Sequence, residues 1–365
     1  MKDKLKIGII GTRGIPNRYG GFEAFAGQVS ERLAAKGHEI TVYCSHNQAY
    51  REPKINDVNL VFIYNPEHFS GTAGQFFYDL GCNLHARRQS FDVILHLGYT
   101  SDSVWTWLWS RRSKHITNMD GMEWMRSKYP PAVQSFLKKA EQFAANGSSL
   151  LIADSTAISD YLVSKYKTPV RFISYGAEIP TFFDPSVLIK CRAEPKRFDL
   201  VIARMEPENN IEMAIRAKLD ENTPVPLLIL SNDTRYGTQL KRNYRSEPLI
   251  RFLPADYNPE TLNSLRHFAR YYIHGHSVGG TNPSLLEAMA CGCQIVAHNN
   301  LFNKSVLGSN AGFYANAGEL ATLLKGNSSP GNTLQSRENN LAAIREFHNW
   351  DFITNEYESA FYQVL

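Results

Sequence analysis

The sequence predicts an α/β protein made of two doubly wound, Rossmann-like domains. Short runs rich in β-branched residues alternate with amphipathic helical stretches, which is typical of parallel sheets covered by helices. The alternation stops at an irregular stretch, 177–197, that contains three prolines, and then starts again. The length of 365 residues also exceeds the usual domain size of about 150 residues. We expect domains at 1–178 and 179–350, with a last helix, 351–365, that is able to pack back on the first.

The predicted elements follow this division. In the first half we expect strands at 6–11, 39–44, 58–64, 92–98, 115–120, 150–155 and 170–176, and helices at 21–36, 73–90, 131–146 and 156–166. In the second half we expect strands at 199–204, 226–231, 249–254, 271–276 and 294–299, and helices at 208–219, 258–268 and 283–291. The composition of 326–333 predicts a flexible loop. Such domains bind ligands at the carboxyl ends of their strands, so we expect them to face each other across a ligand-binding cleft.

The composition excludes several classes of protein. With 43% hydrophobic and 20% charged residues, the chain is globular, and it lacks a run of roughly 18 apolar residues that would span a membrane. The first ten residues lead directly into a strand without the layout of a signal peptide, so we expect a cytoplasmic protein. A formal net charge of +4 is too small to indicate nucleic-acid binding. The five scattered cysteines predict reduced structural thiols.

Aromatic and basic residues are mixed in one segment of the first half. They are Trp105, Trp107, Trp109, Arg111, Arg112 and Lys114. This mixture is typical of a peripheral contact with an anionic membrane surface. The alternative is a solvated basic edge beside a buried aromatic helix.

A glycine-rich segment, GTRGIPNRYGGFE at 11–23, follows the first strand. Gly14, Gly20 and Gly21 allow tight turns and the close approach of a ligand, and the helix that follows presents free amides suited to phosphate. The spacing is not that of the G-x-G-x-x-G dinucleotide motif. The segment indicates a binding loop; the alternative is a plain strand–turn–helix connection.

A second segment, HGHSVGGTNPSLLEAMACG at 274–292, repeats this arrangement in the second half. Backbone amides of four successive residues, Gly279, Gly280, Thr281 and Asn282, are candidates to surround a diphosphate. Pro283 suits the first turn of a helix. Glu287 then lies about one turn into that helix, where a carboxylate accepts hydrogen bonds from vicinal hydroxyls. The His and Cys pairs at the two ends of the segment lack convincing partners for a metal.

Further candidates follow other predicted strands. Arg204 follows the first strand of the second half, where its guanidinium is suited to a phosphate; the alternative is a surface ion pair with Glu206 or Glu208. In the first half, His96, Asp120 and Glu123 lie at strand ends, as acceptor-binding groups, general bases or structural caps. No Asp-x-Asp pair occurs, so we expect a diphosphate held without a metal, and no cofactor.

Taken together, these motifs resemble family 4 glycosyltransferases of the GT-B fold. The segments that carry the resemblance are GTRGIPNRYGGFE, MDGMEW, ADSTAISDYL, ARMEPENN and HSVGGTNPSLLEAMACG, which span 11–292. Within the family, the sequence looks like the bacterial rhamnosyltransferases that build capsule or O-antigen repeats. The resemblance implies that Gly14, Gly20 and Gly21 line the donor diphosphate, that Arg204 contacts it, and that Glu287 holds the nucleotide ribose.

The sequence departs from that family at two positions. Many relatives carry a glutamate eight residues before Glu287, where this chain has Gly279. They carry a diphosphate-binding lysine a few residues after the arginine, where this chain has Asn209. Both departures fit the rhamnosyl type better than the mannosyl or glucosyl types.

The predicted function is that of a retaining glycosyltransferase. We expect it to move L-rhamnose from dTDP-rhamnose onto a lipid-linked saccharide in surface polysaccharide synthesis, at the inner face of the cell membrane. One alternative is a nucleotide-sugar 2-epimerase of the same architecture. Another is a catalytically silent scaffold subunit that binds sugar nucleotides.

Overall fold

The computed structural model describes residues 4–17, 20–326 and 333–365. The chain divides into two compact units. Unit 1 comprises Met1–Met125, Tyr129–Tyr175 and Trp350–Leu365, and unit 2 comprises Arg126–Lys128 and Gly176–Asn349. The predicted loop at 326–333 lies almost wholly outside the described residues.

Unit 1 contains an eight-stranded sheet. Its strands are β1 (Lys6–Ile10), β2 (Glu39–Ser45), β3 (Lys54–Ile55), β4 (Val58–Ile63), β5 (Val93–Leu97), β6 (Lys114–Asn118), β7 (Leu150–Ala153) and β8 (Val170–Phe172). They lie in the order β3-β4-β2-β1-β5-β6-β7-β8, and every pair is parallel except β3–β4. The strand order reverses between β1 and β5, which is where open parallel sheets place ligands.

Helices cover this sheet. They are α1 (Gly21–Ala35), α2 (Glu67–Ser70), α3 (Ala73–Ala86), α4 (Pro131–Gly147) and α5 (Thr156–Lys165), with 3₁₀ turns at Ser103–Leu108 and Glu123–Met125. Most side chains of β1, β5 and β7 are buried, as expected for strands covered on both faces.

The C-terminal helix, Trp350–Val364, belongs to unit 1. The ring of Phe25 on α1 packs edge-on against Tyr357 at a centroid distance of 4.9 Å and against Trp350 at 6.1 Å. Asn118 at the end of β6 donates to the Tyr357 hydroxyl at 2.8 Å. Trp350 and Tyr357 therefore pack this helix against the rest of unit 1.

Unit 2 contains a six-stranded, wholly parallel sheet. Its strands are β9 (Asp199–Ile202), β10 (Leu227–Ser231), β11 (Ile250–Pro254), β12 (Tyr272–His274), β13 (Ile295–His298) and β14 (Gly312–Tyr314), in the order β11-β10-β9-β12-β13-β14. The strand order reverses between β9 and β12. A ligand site is therefore expected at the carboxyl ends of these two strands.

The helices of unit 2 are numbered on from those of unit 1. They are α6 (Val187–Cys191), α7 (Ile211–Glu221), α8 (Arg235–Asn243), α9 (Pro259–Phe268), α10 (Pro283–Ala290), α11 (Leu301–Leu307), α12 (Ala317–Lys325) and α13 (Leu334–Phe347), and the C-terminal helix of unit 1 is α14. A 3₁₀ turn at Pro207–Asn209 follows β9. The stretch expected to be irregular, 177–197, contains α6. Within the described residues, no helix is both long and apolar enough to cross a membrane.

Candidate active site

Arg204 lies two residues past β9, at the strand reversal of unit 2, and its side chain is exposed. The two glutamates nearby in sequence form ion pairs with other cations. Glu206 lies 4.0 Å from the Lys128 ammonium, and Glu208 lies 3.7 Å from the Arg126 guanidinium. The alternative that Arg204 only forms a surface ion pair with these glutamates is therefore not what the structure shows. The geometry leaves its guanidinium available to an anion.

The glycine-rich turn follows β12, the strand next to β9, and leads into α10. Gly279 has φ of +130°, a backbone conformation that favours glycine, and a Cβ added there would meet no atom within 4 Å. Asn282 caps α10, because its side-chain oxygen accepts from the Ser284 amide at 2.9 Å. The first amides of the helix and its dipole give this end a positive potential.

Glu287 is held by an arginine that the sequence did not single out. The guanidinium of Arg266, on α9, forms an ion pair with the Glu287 carboxylate and donates to the Ser284 hydroxyl at 3.0 Å. The Arg266 side chain is 2% exposed, whereas that of Glu287 is 41% exposed. Burial by itself lowers the pKa of Arg266, but the Glu287 carboxylate, together with Tyr272 and the cysteines at 291 and 293, outweighs burial, so the pKa of Arg266 is raised. Glu287 thus presents a fixed carboxylate at the surface.

Two histidines line the end of β12. The rings of His274 and His276 stack at a centroid distance of 4.4 Å. Burial, followed by the positive charges of Arg126 and Arg204, lowers the pKa of His276 to about 3. Both rings are therefore neutral at pH 7, since burial lowers the pKa of His274 as well.

Close packing requires glycine at two positions of the glycine-rich segment in unit 1. A Cβ on Gly14 would stand 2.6 Å from the Cys44 sulfur, and a Cβ on Gly11 would stand 2.3 Å from the Leu97 carbonyl oxygen. Gly20 caps α1, and Gly21 is the first residue of that helix. Arg18 and Tyr19, in the middle of the segment, lie outside the described residues. Contact of Gly14, Gly20 and Gly21 with a diphosphate stays a prediction.

Asp120 and Glu123 lie just after β6. Asp120 has φ of +50°, which is uncommon outside glycine and is often found at functional sites. Its amide donates to the side-chain oxygen of Asn118 at 2.9 Å, and the Glu123 amide donates to the Tyr99 hydroxyl at 3.1 Å. Both carboxylates are partly exposed, so both are accessible for the acceptor-binding or base role that was predicted.

His96 is fully buried in unit 1. Its Nδ1 lies 2.6 Å from Asp102, and its Nε2 lies 2.9 Å from Nδ1 of His115. Trp109 stacks on the His96 ring at 3.9 Å. Burial, reinforced by His96, lowers the pKa of His115 to about 3. We call these four residues the histidine cluster; their mutual contacts favour a structural role for His96 over the catalytic one that was predicted.

The aromatic and basic segment divides between interior and surface. Trp109 is buried in the histidine cluster, while Trp107 is 71% exposed. Arg111, Arg112 and Lys114 are exposed. The exposed members therefore form a basic edge with one aromatic side chain.

Comparison with known proteins places this architecture. Sucrose-phosphate synthase from Thermosynechococcus elongatus superimposes with a TM-score of 0.79 at 13% identity, over 99% of both chains. HepE from Anabaena, in complex with UDP and glucose, gives 0.76 at 16% identity over 98% of this chain and 100% of its own. Trehalose-6-phosphate synthase from E. coli, bound with UDP-2-fluoro glucose, gives 0.74 at 12% identity over 99% of both chains.

The chain has the GT-B fold. Residues 4–178 also match a family described as a domain of unknown function, DUF1972. No curated protein matches the chain by sequence.

Within this GT-B chain, the structure brings together the predicted residues of unit 2. Arg204 and the 279–282 turn lie at neighbouring strand ends, and Glu287 follows one turn into α10. Sequence reasoning missed Arg266, and it treated Glu208 only as a partner for Arg204. The only sequence signal for Arg266 is its place near the end of an amphipathic helix, which does not reveal that its side chain is buried.

Proposed function

We propose that this protein transfers a sugar from a nucleotide-sugar donor to an acceptor. The observation that carries the proposal is the convergence of an exposed Arg204, the glycine-rich turn and the start of α10 at the strand reversal of unit 2. An arginine and a helix N-terminus that meet at a strand reversal suit a diphosphate. In support, HepE is described in complex with UDP and glucose, and the trehalose-6-phosphate synthase with UDP-2-fluoro glucose.

The diphosphate is held without a metal in this proposal. Arg204 supplies a full positive charge, and the amides of Gly280, Thr281 and Asn282 supply directed donors. Both act more strongly as negative charge develops on the leaving diphosphate, so they lower the barrier as well as bind. Glu287, fixed by Arg266, accepts from the hydroxyls of the nucleotide ribose.

The reaction proceeds with retention of configuration. The bond between the anomeric carbon and the diphosphate oxygen breaks while the acceptor hydroxyl attacks from the same face. The acceptor proton passes to the leaving diphosphate oxygen, so no separate base is required and charge balances. Arg204 and the α10 amides stabilise the diphosphate during this step.

We further propose dTDP-L-rhamnose as the donor and a lipid-linked saccharide as the acceptor. Gly279 and Asn209, which replace a glutamate and a lysine found in many relatives, support the rhamnosyl type. The exposed edge with Trp107, Arg111 and Arg112 supports peripheral contact with an anionic membrane that carries such an acceptor.

The test is a calorimetric binding screen across dTDP-, UDP- and GDP-sugars, followed by product analysis with and without acceptor. We expect the tightest binding for dTDP-L-rhamnose, and glycoside product only when acceptor is present. We also expect EDTA to change the rate less than about twofold, because Arg204 and backbone amides replace a metal. Conversion of the donor without acceptor would identify an epimerase instead. Binding of nucleotide sugars without turnover on any acceptor would indicate a silent subunit.

A further inference from the structure

The carboxylate of Glu208 is buried at the candidate site of unit 2 and lacks hydrogen-bond partners. The residue is 4% exposed, and neither of its side-chain oxygens has a hydrogen-bond partner among the described residues. Among the described residues, the Arg126 guanidinium forms an ion pair with Glu208 at 3.7 Å, which is beyond hydrogen-bond distance. A carboxylate has about four acceptor positions, and leaving a buried polar group without hydrogen-bond partners is energetically unfavourable. The arrangement therefore lacks a hydrogen-bond donor.

The backbone holds Glu208 in this position. The amide and hydroxyl of Ser277 both donate to the Glu208 carbonyl, at 3.0 and 2.9 Å. Asn210 donates to the Gly275 carbonyl at 2.8 Å, which fastens the same 3₁₀ turn to the segment after β12. A Cβ on Gly275 would stand 2.2 Å from the Asn209 carbonyl oxygen, so the two backbones are in close contact. The turn that carries Glu208 is thus tied to the glycine-rich turn that leads into α10.

The charges around Glu208 indicate what kind of group would donate hydrogen bonds to its carboxylate. Burial, followed by the charges of Arg204 and Arg126, lowers the pKa of Lys128, and Glu206 and Glu208 oppose this shift, so these charged groups lie near one another. These cations compensate the carboxylate, but they do not fill its lone pairs. A phosphate cannot fill them either, because it is itself an anionic acceptor. A neutral hydroxyl donates without adding charge, and a pair of vicinal hydroxyls matches the two oxygens of a carboxylate.

The neighbouring turn offers no competing carboxylate. Residues 275–282 contain no acidic side chain, and Gly279 leaves open space there.

We propose that Glu208 binds a hydroxyl group of the donor's sugar ring and thereby contributes to selection of the sugar. This inference rests on the proposed function, because it requires a nucleotide-sugar donor. The competing explanation is that Glu208 serves only as a counter-ion for Arg126.

The test compares whole donors with their bare nucleotides. Calorimetry measures the affinities of dTDP-L-rhamnose and dTDP, and of UDP-glucose and UDP, for the wild type and Glu208→Gln. We expect Glu208→Gln to weaken the better-bound sugar nucleotide at least tenfold and the corresponding bare nucleotide less than twofold. Glu206→Gln, which alters a half-buried carboxylate paired with Lys128, is the matched control and should change neither affinity.

Equal losses for the sugar nucleotide and the bare nucleotide would overturn the inference, since a counter-ion for Arg126 acts on the diphosphate region as a whole. Unchanged affinities in Glu208→Gln, with wild-type binding intact, would overturn it too and leave the proposed function standing. If the wild type bound neither donor, the proposed function would fail and the inference with it. Should Glu208→Gln not fold, Glu208→Asp displaces the carboxylate by one methylene, and the same donor-selective loss is expected.

Discussion

The two ends of β9 both carry charged groups, but those groups are satisfied in different ways. At the amino end, Asp199 and Lys218 are fully buried and lie 2.9 Å apart. Arg270 donates to both oxygens of Asp199 at 2.8 and 2.6 Å, and Glu221 completes the group. At the carboxyl end, Arg204 is exposed and Glu208 is buried without a hydrogen-bond partner among the described residues.

We interpret the difference as one between charge that is used within the fold and charge that is available to a ligand. In a closed ion-pair group, the protein's own side chains use all of the donors and acceptors, so none is left for a ligand. Removing a member of such a group should lower the free energy of unfolding and leave ligand affinity unchanged. An open group has unused donors and acceptors. Stability of the fold does not account for such unsatisfied groups, whereas the binding of a ligand would. The same distinction applies in unit 1, where His96 bonds to Asp102 and His115. Mutations at the two ends of β9 test it directly.

The largest expected effect is on stability, at the amino end of β9. Asp199→Asn leaves the buried Lys218 and the half-buried Arg270 with one carboxylate instead of two. Removing one partner of a buried ion pair costs about 3–5 kcal/mol, so the free energy of unfolding should fall by about that amount. Denaturant unfolding measures it, with Asp220→Asn on the exposed side of α7 as the control. Donor affinity of the folded fraction should not change; a selective loss of affinity would show that the two ends are coupled.

At the carboxyl end the expected effect is on turnover. Arg204→Ala removes an exposed side chain, so unfolding should be nearly unchanged. Loss of a charge that stabilises the leaving diphosphate should lower kcat/KM by about 30- to 1,000-fold, or 2–4 kcal/mol. Steady-state kinetics of Arg204→Ala and of the exposed control Arg235→Ala check this. A kcat/KM equal to that of the wild type would exclude Arg204 from the site.

The sequence predicted well the strands and helices that carry these charged side chains. It predicted less well which of the side chains are buried. Hydrophobic alternation located β9, β12 and α10, and glycine with proline marked the turn before α10. It missed β3 and β14, which are only two and three residues long. Short edge strands depend on their neighbours, so local pattern carries little information about them.

The sequence offers candidate site residues where the backbone context marks a position, and not where tertiary packing does. Arg204 and Glu287 follow strand ends or a helix start, and such positions are visible in a sequence. Arg266 is important because its charge is buried next to Glu287, and burial of a single helix position emerges only from tertiary packing. His96 shows the same limit: the sequence marks it as a histidine at a strand end, but the contacts from residues 102, 109 and 115 that enclose it emerge only from the structure.

The Glu287–Arg266 ion pair includes a carboxylate that is available to a ligand and a guanidinium that is buried. Mutations should therefore separate its effect on nucleotide affinity from its effect on stability. Glu287→Gln should weaken donor and bare nucleotide binding by about 1.5–3 kcal/mol, because a charged acceptor for ribose hydroxyls is lost. It should also lower stability, since the buried Arg266 loses its counter-ion. The double variant Arg266→Met with Glu287→Gln should regain stability but not affinity. Unchanged nucleotide affinity with lost turnover would move Glu287 from binding to chemistry.

The smallest expected effect concerns charges that are neither enclosed nor at a strand end. Arg111 and Arg112 are exposed, and solvent screens such groups, so they contribute little to folding. Near an anionic membrane, each basic residue contributes about 1 kcal/mol, which is about a fivefold change in partitioning. Arg112→Ser should therefore weaken binding to phosphatidylserine vesicles about fivefold at low salt, and less at higher salt because the attraction is screened.

Transfer to a soluble acceptor analogue should be unaffected, whereas transfer to a lipid-linked acceptor should slow. Arg242→Ser, an exposed arginine on α8 of unit 2, is the control. Equal vesicle binding by the wild type and Arg112→Ser would remove this edge as a membrane contact and leave the strand-end site of unit 2 unaffected, because the two depend on different residues.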